Sequence, residues 1–265
     1  MHETHRLALM NAMLHDIGGY IQLGDTLSNL GKSMKGFDVV LTNPPFGTKK
    51  GGERASRDDL TFLTSNKQLN FLQHIYRSLR IDTGKARAAV VLPDNVLFAD
   101  GDGENIRKDL MEKCNLHTIL RLPTGIFYAQ GVKTNVLFFN RGKTDHGNTK
   151  EVWIYDLRSN MPSFGKTNPL KRSDFDEFVE CYCAGHMEDR KELYSVDNQD
   201  GRWRKYSYKE ILDRDKTSLD ITWIHSGDTV DDRTLAEMLE EIEEKVSGIN
   251  NAVAALKALI GELEG

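Results

Sequence analysis

The chain lacks the sequence features that identify membrane proteins, secreted proteins and zinc-binding proteins. No run of about 18 apolar residues occurs, so the sequence predicts no transmembrane helix. No apolar N-terminal stretch of the secretory type is present either. Only three cysteines occur, Cys114, Cys181 and Cys183, and their spacing lacks the second pair of a zinc site. These absences predict a cytoplasmic protein with reduced thiols, no metal site and no contact with a membrane.

A strong excess of positive charge is also lacking. The net charge is -5, and residues 231–265 contribute nine acidic and three basic side chains, so the preceding residues carry a net charge of +1. A protein that binds DNA alone normally presents a basic face. If the chain contacts nucleic acid, we therefore expect partner subunits to supply much of the phosphate-binding surface.

What the sequence does contain is an alternation of strand-like and helix-like segments. The predicted strands are 20–23, 37–42, 86–92, 116–122, 135–140 and 151–156, and the predicted helices are 3–16, 65–81, 103–113 and 174–182. This order predicts an α/β fold with a largely parallel sheet. An antiparallel pair at the sheet edge is expected as well, because a short connection joins the strands 116–122 and 135–140. Residues 185–216 are polar and are predicted to be rich in loops.

The tetrapeptide Asn43-Pro44-Pro45-Phe46 directly follows the predicted strand 37–42. Ligands of open α/β sheets bind beyond the carboxyl ends of the strands. The amine of a planar base is a weak nucleophile, and acceptors for both of its N–H groups draw the nitrogen towards a tetrahedral, more reactive geometry. The Asn43 amide oxygen and the Pro44 carbonyl are candidate acceptors, two prolines stiffen the turn, and Phe46 offers a face for stacking. The alternative is an ordinary turn, since Asn-Pro begins turns in many proteins.

This tetrapeptide resembles the catalytic motif of the amino-methyltransferases that act on DNA. The wider sequence resembles the modification (M) subunit of type I restriction-modification systems, and the stretches that carry the resemblance are, in order, 3–11, 24–27, 43–46, 88–98 and 122–127. The resemblance implies a Rossmann-like class I methyltransferase sheet, N6-adenine methylation of DNA with base flipping, and S-adenosylmethionine as the cofactor.

Part of the family's cofactor site is missing from this sequence. The Gly-rich loop after the family's first strand and the acidic residue after its second strand are both absent, and the one G-x-G, at 101–103, lies in a hydrophilic loop. We therefore expect a partial catalytic domain. It is either the C-terminal part of a longer subunit or a chain that receives the missing half from a partner.

The resemblance also implies roles for individual residues. The tetrapeptide would hold the target adenine, Asp25 would bind the adenine of the cofactor with Leu23 beside it, and Phe127 would help to hold the flipped base. The candidates for DNA backbone contacts are the basic residues that follow the tetrapeptide: Lys49, Lys50, Arg54 and Arg57. Two structural alternatives stay open, because Asp25 also suits a turn or helix cap and Phe127 also suits a core.

Three regions are predicted along the chain. Residues 1–160 form the partial catalytic domain, residues 161–230 form a loop-rich extension packed on it, and residues 231–265 form a helix for subunit association. Nine apolar residues between 235 and 263 repeat in alternating steps of four and three, which is the heptad pattern of a coiled coil. The resemblance implies that this helix binds the specificity (S) subunit, which chooses the DNA sequence, in a complex that also contains the restriction (R) subunit.

Two rival functions remain compatible with the sequence. The tetrapeptide suits any planar amine or amide, so an N4-cytosine or N5-glutamine methyltransferase is one rival, which the ordered set of motifs disfavours. The other is a catalytically silent fragment that serves only as an assembly module for the specificity subunit. The absent Gly-rich loop favours that second rival for this polypeptide alone.

Overall fold

The computed structural model describes residues 2–46, 57–127, 132–162, 164–165 and 168–224. Six strands form one sheet in the spatial order β1-β2-β4-β3-β5-β6. Their bounds are β1 (Val39–Thr42), β2 (Arg87–Pro93), β3 (Cys114–Arg121), β4 (Thr134–Arg141), β5 (Glu151–Asp156) and β6 (Trp203–Ser207). The helices are α1 (His2–Leu14), α2 (Lys67–Ser78), α3 (Asn95–Phe98), α4 (Asp102–Lys113), α5 (Asp176–Tyr182) and α6 (Tyr208–Leu212).

The strand directions confirm the predicted α/β class. β1 runs parallel to β2 and β3 runs parallel to β5, whereas β4 and β6 are antiparallel to their neighbours, so four of the six strands share one direction. β6 is an antiparallel strand at the sheet edge. The antiparallel pair expected at the edge, β3 and β4, lies inside the sheet instead, because β4 inserts between β2 and β3.

One face of the sheet is covered by α2 and α4. Leu72 of α2 and Leu110 of α4 are fully buried in the same hydrophobic core as Val90 and Leu92 of β2. Each such side chain stabilises the fold by roughly 1.5–3 kcal/mol relative to exposure. The start of α2 is fixed by Asn66, whose side-chain oxygen accepts hydrogen bonds from the backbone of the first turn, as N-cap residues do.

An aromatic cluster covers the opposite face at β3, β5 and β6. Trp153 stacks on Trp203 with ring centroids 5.2 Å apart, and Phe178 of α5 meets Tyr155 edge-on at 5.4 Å. Trp203 belongs to a segment that the sequence predicted to be mostly loop, yet this segment contains β6 and α6. The prediction failed there because β6 is five residues long and polar in composition, so its pairing with β5 decides its conformation.

The predicted strand 20–23 is wrong. Tyr20 is 86% exposed and the segment has an irregular backbone. A hydrogen bond from His5 to the carbonyl of Ile21 (2.9 Å) holds it near α1. An isolated strand is unstable without neighbours on a sheet, and no described strand pairs with this one.

The outer side of β1 is unpaired among the described residues, and its apolar side chains are uncovered. Val39 is 44% exposed and Leu41 is 76% exposed, while Val40 between them packs towards the core. Helix α1 likewise exposes apolar residues, with Met13 and Leu14 both more than 70% exposed. Within the described residues, no helix has the length and apolarity to cross a membrane. The predicted heptad helix at 231–265 lies outside the described residues.

Candidate functional site

The tetrapeptide lies where β1 leaves the sheet. The pairing of β1 with β2 ends at Thr42 opposite Val90, and a proline at position 44 offers no N–H with which to extend the ladder. Asn43 is exposed, Pro44 is buried, and Phe46 is 36% exposed. The turn is therefore anchored at its first proline, while the amide and the aromatic ring on either side of it face outwards. This is the placement that a binding role for both side chains requires.

Phe127 lies beside the tetrapeptide, although 81 positions separate it from Phe46 in the sequence. The two rings meet edge to face, with centroids 6.3 Å apart and an interplanar angle of 83°. Phe127 follows β3 by a few residues, and β1 and β3 run in the same direction, so both aromatics lie at the carboxyl edge of the sheet. Two residues that the resemblance assigned to base binding are thus brought together.

Asp25 begins a turn that is stabilised by local hydrogen bonds to Asp25. Its Oδ1 accepts a hydrogen bond from the backbone N–H of Leu27 (2.9 Å), and its carbonyl accepts one from the hydroxyl of Ser28 (2.6 Å). The carboxylate is exposed, and within the described part of the chain only Oδ1 has a hydrogen-bond partner. Asp25 therefore stabilises a turn, as the structural alternative predicted. Its second carboxylate oxygen, Oδ2, is available for a ligand.

A cavity of about 440 Å³ opens beside this turn. Gly24 and Thr26, the two neighbours of Asp25, both line it, and so does Phe37 at the entrance to β1. The remaining lining residues are Tyr20, Gln22, Leu30, Gly31 and Met34. The volume falls in the range of small-molecule sites. Neither of the two residues predicted to bind the cofactor lines this cavity: Asp25 lies beside it and is exposed, and Leu23 is 39% exposed.

Arg57 does not contact DNA phosphates as the sequence predicted, because its side chain is only 1% exposed. It is paired with Asp59 through two hydrogen bonds of 2.7 and 2.5 Å. Its Nη1 donates to the carbonyl of Thr26 (3.1 Å) and to Nδ1 of His74 (2.8 Å). Arg57 thus ties the Asp25 turn to α2. Lys49, Lys50 and Arg54 lie outside the described residues.

The protonation states around Arg57 agree with this arrangement. Burial, and secondly the neighbouring guanidinium, lower the pKa of His74 to about 4, so its ring is neutral and accepts the hydrogen bond. Hydrogen bonding to Arg57 lowers the pKa of Asp59 to about 2. Burial likewise lowers the pKa of His117 to about 4, so this ring is neutral too. The three cysteines are free, and burial raises the pKa of Cys114 to about 12.

A largely buried ion pair at the same edge was not identified from the sequence. Arg158 follows β5 and binds Asp94, which follows β2, through two hydrogen bonds of 2.8 and 2.9 Å. The side chains are 10% and 15% exposed. Arg158 lies 64 positions from Asp94, and no local pattern indicates the contact.

Comparison with known proteins gives a consistent family. The model of the family described as N-6 DNA Methylase matches residues 1–217. The methylase subunit of the type I restriction enzyme StySPI from Salmonella potsdam is 44% identical, over 98% of this chain and 54% of its own length. The crystal structure of the M protein of the type I restriction enzyme EcoKI superposes with a TM-score of 0.74 and 42% identity, covering 96% of this chain and 58% of that one.

A structure described as part of a type I R-M system also matches, with a TM-score of 0.68 and 30% identity over 98% of this chain and 53% of that chain. The chain therefore spans about half the length of the curated relatives it matches. The family match over most of the chain, together with a sheet that superposes on the EcoKI M protein, confirms the resemblance drawn from the tetrapeptide and its companion motifs. The chain belongs to the N-6 DNA methylase family and is related to the methylase subunits of type I restriction enzymes.

Proposed function

We propose that this chain carries the base-binding part of the active site of a DNA methyltransferase that acts on N6 of adenine. The observation that carries the proposal is the edge-to-face contact of Phe46 with Phe127 beside an exposed Asn43. An enzyme that modifies a base has to take the base out of the duplex, and aromatic side chains then hold it. The family relationship supports adenine over cytosine or glutamine as the target.

The chain's own residues would act by orienting the amine. Asn43 Oδ1 and the carbonyl of Pro44 accept hydrogen bonds from the two N–H groups of the adenine amine. These bonds localise the nitrogen lone pair, so the amine becomes a better nucleophile before it loses a proton. Prolines at 44 and 45 keep both acceptors in place, which reduces the reorganisation needed during reaction. A general base is therefore not required before methyl transfer.

The cofactor in this proposal is S-adenosylmethionine, which supplies the methyl group when bound. The cavity borders the Asp25 turn through Gly24 and Thr26, and the exposed Asp25 carboxylate beside it is an acceptor that can bind the adenine amine of the cofactor. Arg57 holds the Asp25 turn in place by donating a hydrogen bond to the carbonyl of Thr26. The Gly-rich loop that would hold the methionine portion is absent from this sequence.

We infer that the uncovered side of β1 takes part in completing that site. An edge strand with exposed apolar side chains such as Leu41 readily pairs with another strand. The curated relatives are almost twice as long as the matched region, so they contain chain that has no counterpart here. A further strand and its covering helix would bury Val39 and Leu41.

DNA and the other subunits of a restriction-modification system are the proposed partners. The heptad pattern at 235–263 would bind the specificity subunit, which would choose the sequence, and the restriction subunit would join the full cytoplasmic complex. Lys49, Lys50 and Arg54 would contact the DNA backbone. Because the region before 231 has a net charge of +1, the partners would supply most of the basic surface.

Product analysis tests this proposal. The chain would be assayed alone and joined to the segment of the StySPI methylase subunit that has no counterpart in it, each together with a specificity subunit, S-adenosylmethionine and duplex DNA. Mass spectrometry of the digested DNA should find N6-methyladenine with the joined protein. N4-methylcytosine as the product would overturn the choice of base. Failure of both proteins to methylate DNA, with the joined protein folded and bound to cofactor, would favour the silent assembly module.

A further inference from the structure

Arg158 reaches across the carboxyl edge of the sheet and connects strands that are not adjacent in sequence. Its Nε donates to the carbonyl of Leu122 (3.0 Å), just beyond β3, and its Nη2 donates to the carbonyl of Thr134 (2.9 Å), at the start of β4. Nη1 and Nη2 each donate to one oxygen of Asp94, just beyond β2. A residue that follows β5 therefore fixes the ends of β2, β3 and β4 relative to one another.

Only arginine can make this set of contacts. Its guanidinium is planar and directs its donors in a fixed fork, whereas a lysine offers a single point charge. The pair is largely removed from water, with Arg158 10% and Asp94 15% exposed. Asn135 adds a donor to the same Asp94 carboxylate (2.7 Å).

Arg158 is itself held in place by a second, fully buried carboxylate. Asp156 Oδ1 accepts hydrogen bonds from the backbone N–H groups of Arg158 and Ser159, both at 2.8 Å. Asp156 Oδ2 accepts one from the Ser159 hydroxyl (2.9 Å). The backbone turn that carries Arg158 is thus held by Asp156, independently of the hydrogen bonds that the guanidinium makes.

The segment that this network holds is the loop leading to Phe127. Leu122 is bound at both backbone groups, since its carbonyl accepts from Arg158 and its N–H donates to Thr134 (3.0 Å). Three residues later Gly125 adopts a φ of +82° and packs on the carbonyl of Phe164, so closely that a Cβ would overlap it. Two fixed points therefore precede Phe127, whose ring meets Phe46 at 6.3 Å.

We propose that Arg158, with Asp94 as its partner, is a positioning residue of the base-binding site. It fixes the loop 122–127 so that Phe127 faces Phe46. The inference rests on the proposed function, because it assigns this aromatic pair to the flipped base. Its geometric content is independent of catalysis and is tested without an activity assay.

The matched control is Arg141, which lies at the opposite edge of the sheet. Its Nη1 donates to the carbonyls of Lys113, Gly142 and Thr144, and its Nη2 binds Asp145. Arg141 is 5% exposed, so it is a buried arginine that bridges strand ends much as Arg158 does. It has no contact with the loop 122–127 in the hydrogen bonds described.

The experiment places one 4-fluorophenylalanine at position 127 of the chain and records the ¹⁹F resonance. We expect R158K and R158Q to move or broaden this resonance, and R141Q to leave it unchanged. D94N keeps the shape of the partner and serves if the arginine variants fail to fold; it should shift the resonance in the same direction. A wild-type resonance in folded R158K and D94N would overturn the inference, as would an equal change in R141Q.

Kinetics of the joined protein give the functional part of the test. We expect R158K to lower kcat by on the order of 10²-fold while KM for S-adenosylmethionine is unchanged, since small misplacements of a bound group have effects of this size. An unchanged kcat beside a shifted resonance would also overturn the positioning role. Failure of the proposed function is recognised separately, because N43A would then retain methylation whatever the resonance shows.

Discussion

Replacement of Arg57 by methionine should destabilise the chain strongly. The substitution keeps most of the side-chain volume but removes a guanidinium that is 1% exposed. The Asp59 carboxylate, the Thr26 carbonyl and the His74 ring would each lose their donor. Breaking one partner of a buried pair typically costs about 3–5 kcal/mol. This loss is a large fraction of the total stability of an ordinary domain.

Urea unfolding followed by tryptophan fluorescence measures the effect. The control is R80M, because Arg80 also binds two aspartates, Asp38 and Asp82, but is 39% exposed. Exposed pairs contribute about 0–1 kcal/mol, so R80M should lie close to the wild type. If R57M lost no more stability than R80M, the buried placement of Arg57 would be wrong, and its predicted contact with DNA phosphate would be open again.

The same network predicts how stability depends on pH. The pKa of His74 is lowered from 6.5 in the unfolded chain to about 4 in the fold. Between these values the unfolded state binds the proton and the folded state does not, so stability is full above pH 6.5 and falls as the pH drops towards 4. The loss amounts to about 3 kcal/mol. In the H74Q variant the free energy of unfolding should change much less between pH 6.5 and pH 4. If H74Q showed the same pH dependence as the wild type, other groups would be responsible for it.

Three further predictions concern the site and its partners. In unfolding experiments, the loss of stability in the double mutant F46A/F127A should differ from the sum of the two single-mutant losses by about 0.5 kcal/mol. This value is near the lower end for aromatic pairs, because the ring centroids are 6.3 Å apart. Additive losses would show that the rings do not meet. G125A should cost about 1–3 kcal/mol, since its φ is +82° and the new Cβ meets the carbonyl of Phe164; a neutral effect would contradict that packing. Ending the chain before Asp231 should abolish co-purification with a specificity subunit, and unaltered co-purification would disprove the coiled-coil proposal.

Local patterns were sufficient to predict much of the fold. Helices α2 and α4 and strands β2, β3, β4 and β5 match their predicted positions to within a few residues, because each carries a clear apolar period. β6 was missed because it is short and polar, and its conformation depends on β5. The order of strands in the sheet is a property of non-local pairing, so the insertion of β4 between β2 and β3 was not visible in the sequence.

In the candidate site, too, local features could be predicted from the sequence and contacts between distant residues could not. The tetrapeptide and Phe127 could be proposed as site residues because each belongs to a short stretch that resembles a family motif, and the structure brings the Phe46 and Phe127 rings together. Arg57 was misassigned because a basic residue in a polar segment has the same appearance whether it faces solvent or a buried aspartate. Arg158 was overlooked because its partners lie 23 to 64 positions away. Charged residues with distant partners are therefore the part of this site that the sequence conceals.

Asn43 has the principal role in the proposed chemistry, because it would prepare the adenine amine for methyl transfer. This role is tested by the rate at which a labelled methyl group is transferred from S-adenosylmethionine to DNA by the protein joined to the StySPI segment, in complex with a specificity subunit. N105A, a substitution at an exposed position of α4, serves as the control. N43A should lower the rate by on the order of 10²-fold or more, with DNA and cofactor still bound, while N105A has no effect. A rate for N43A within a factor of about two of the control would contradict it.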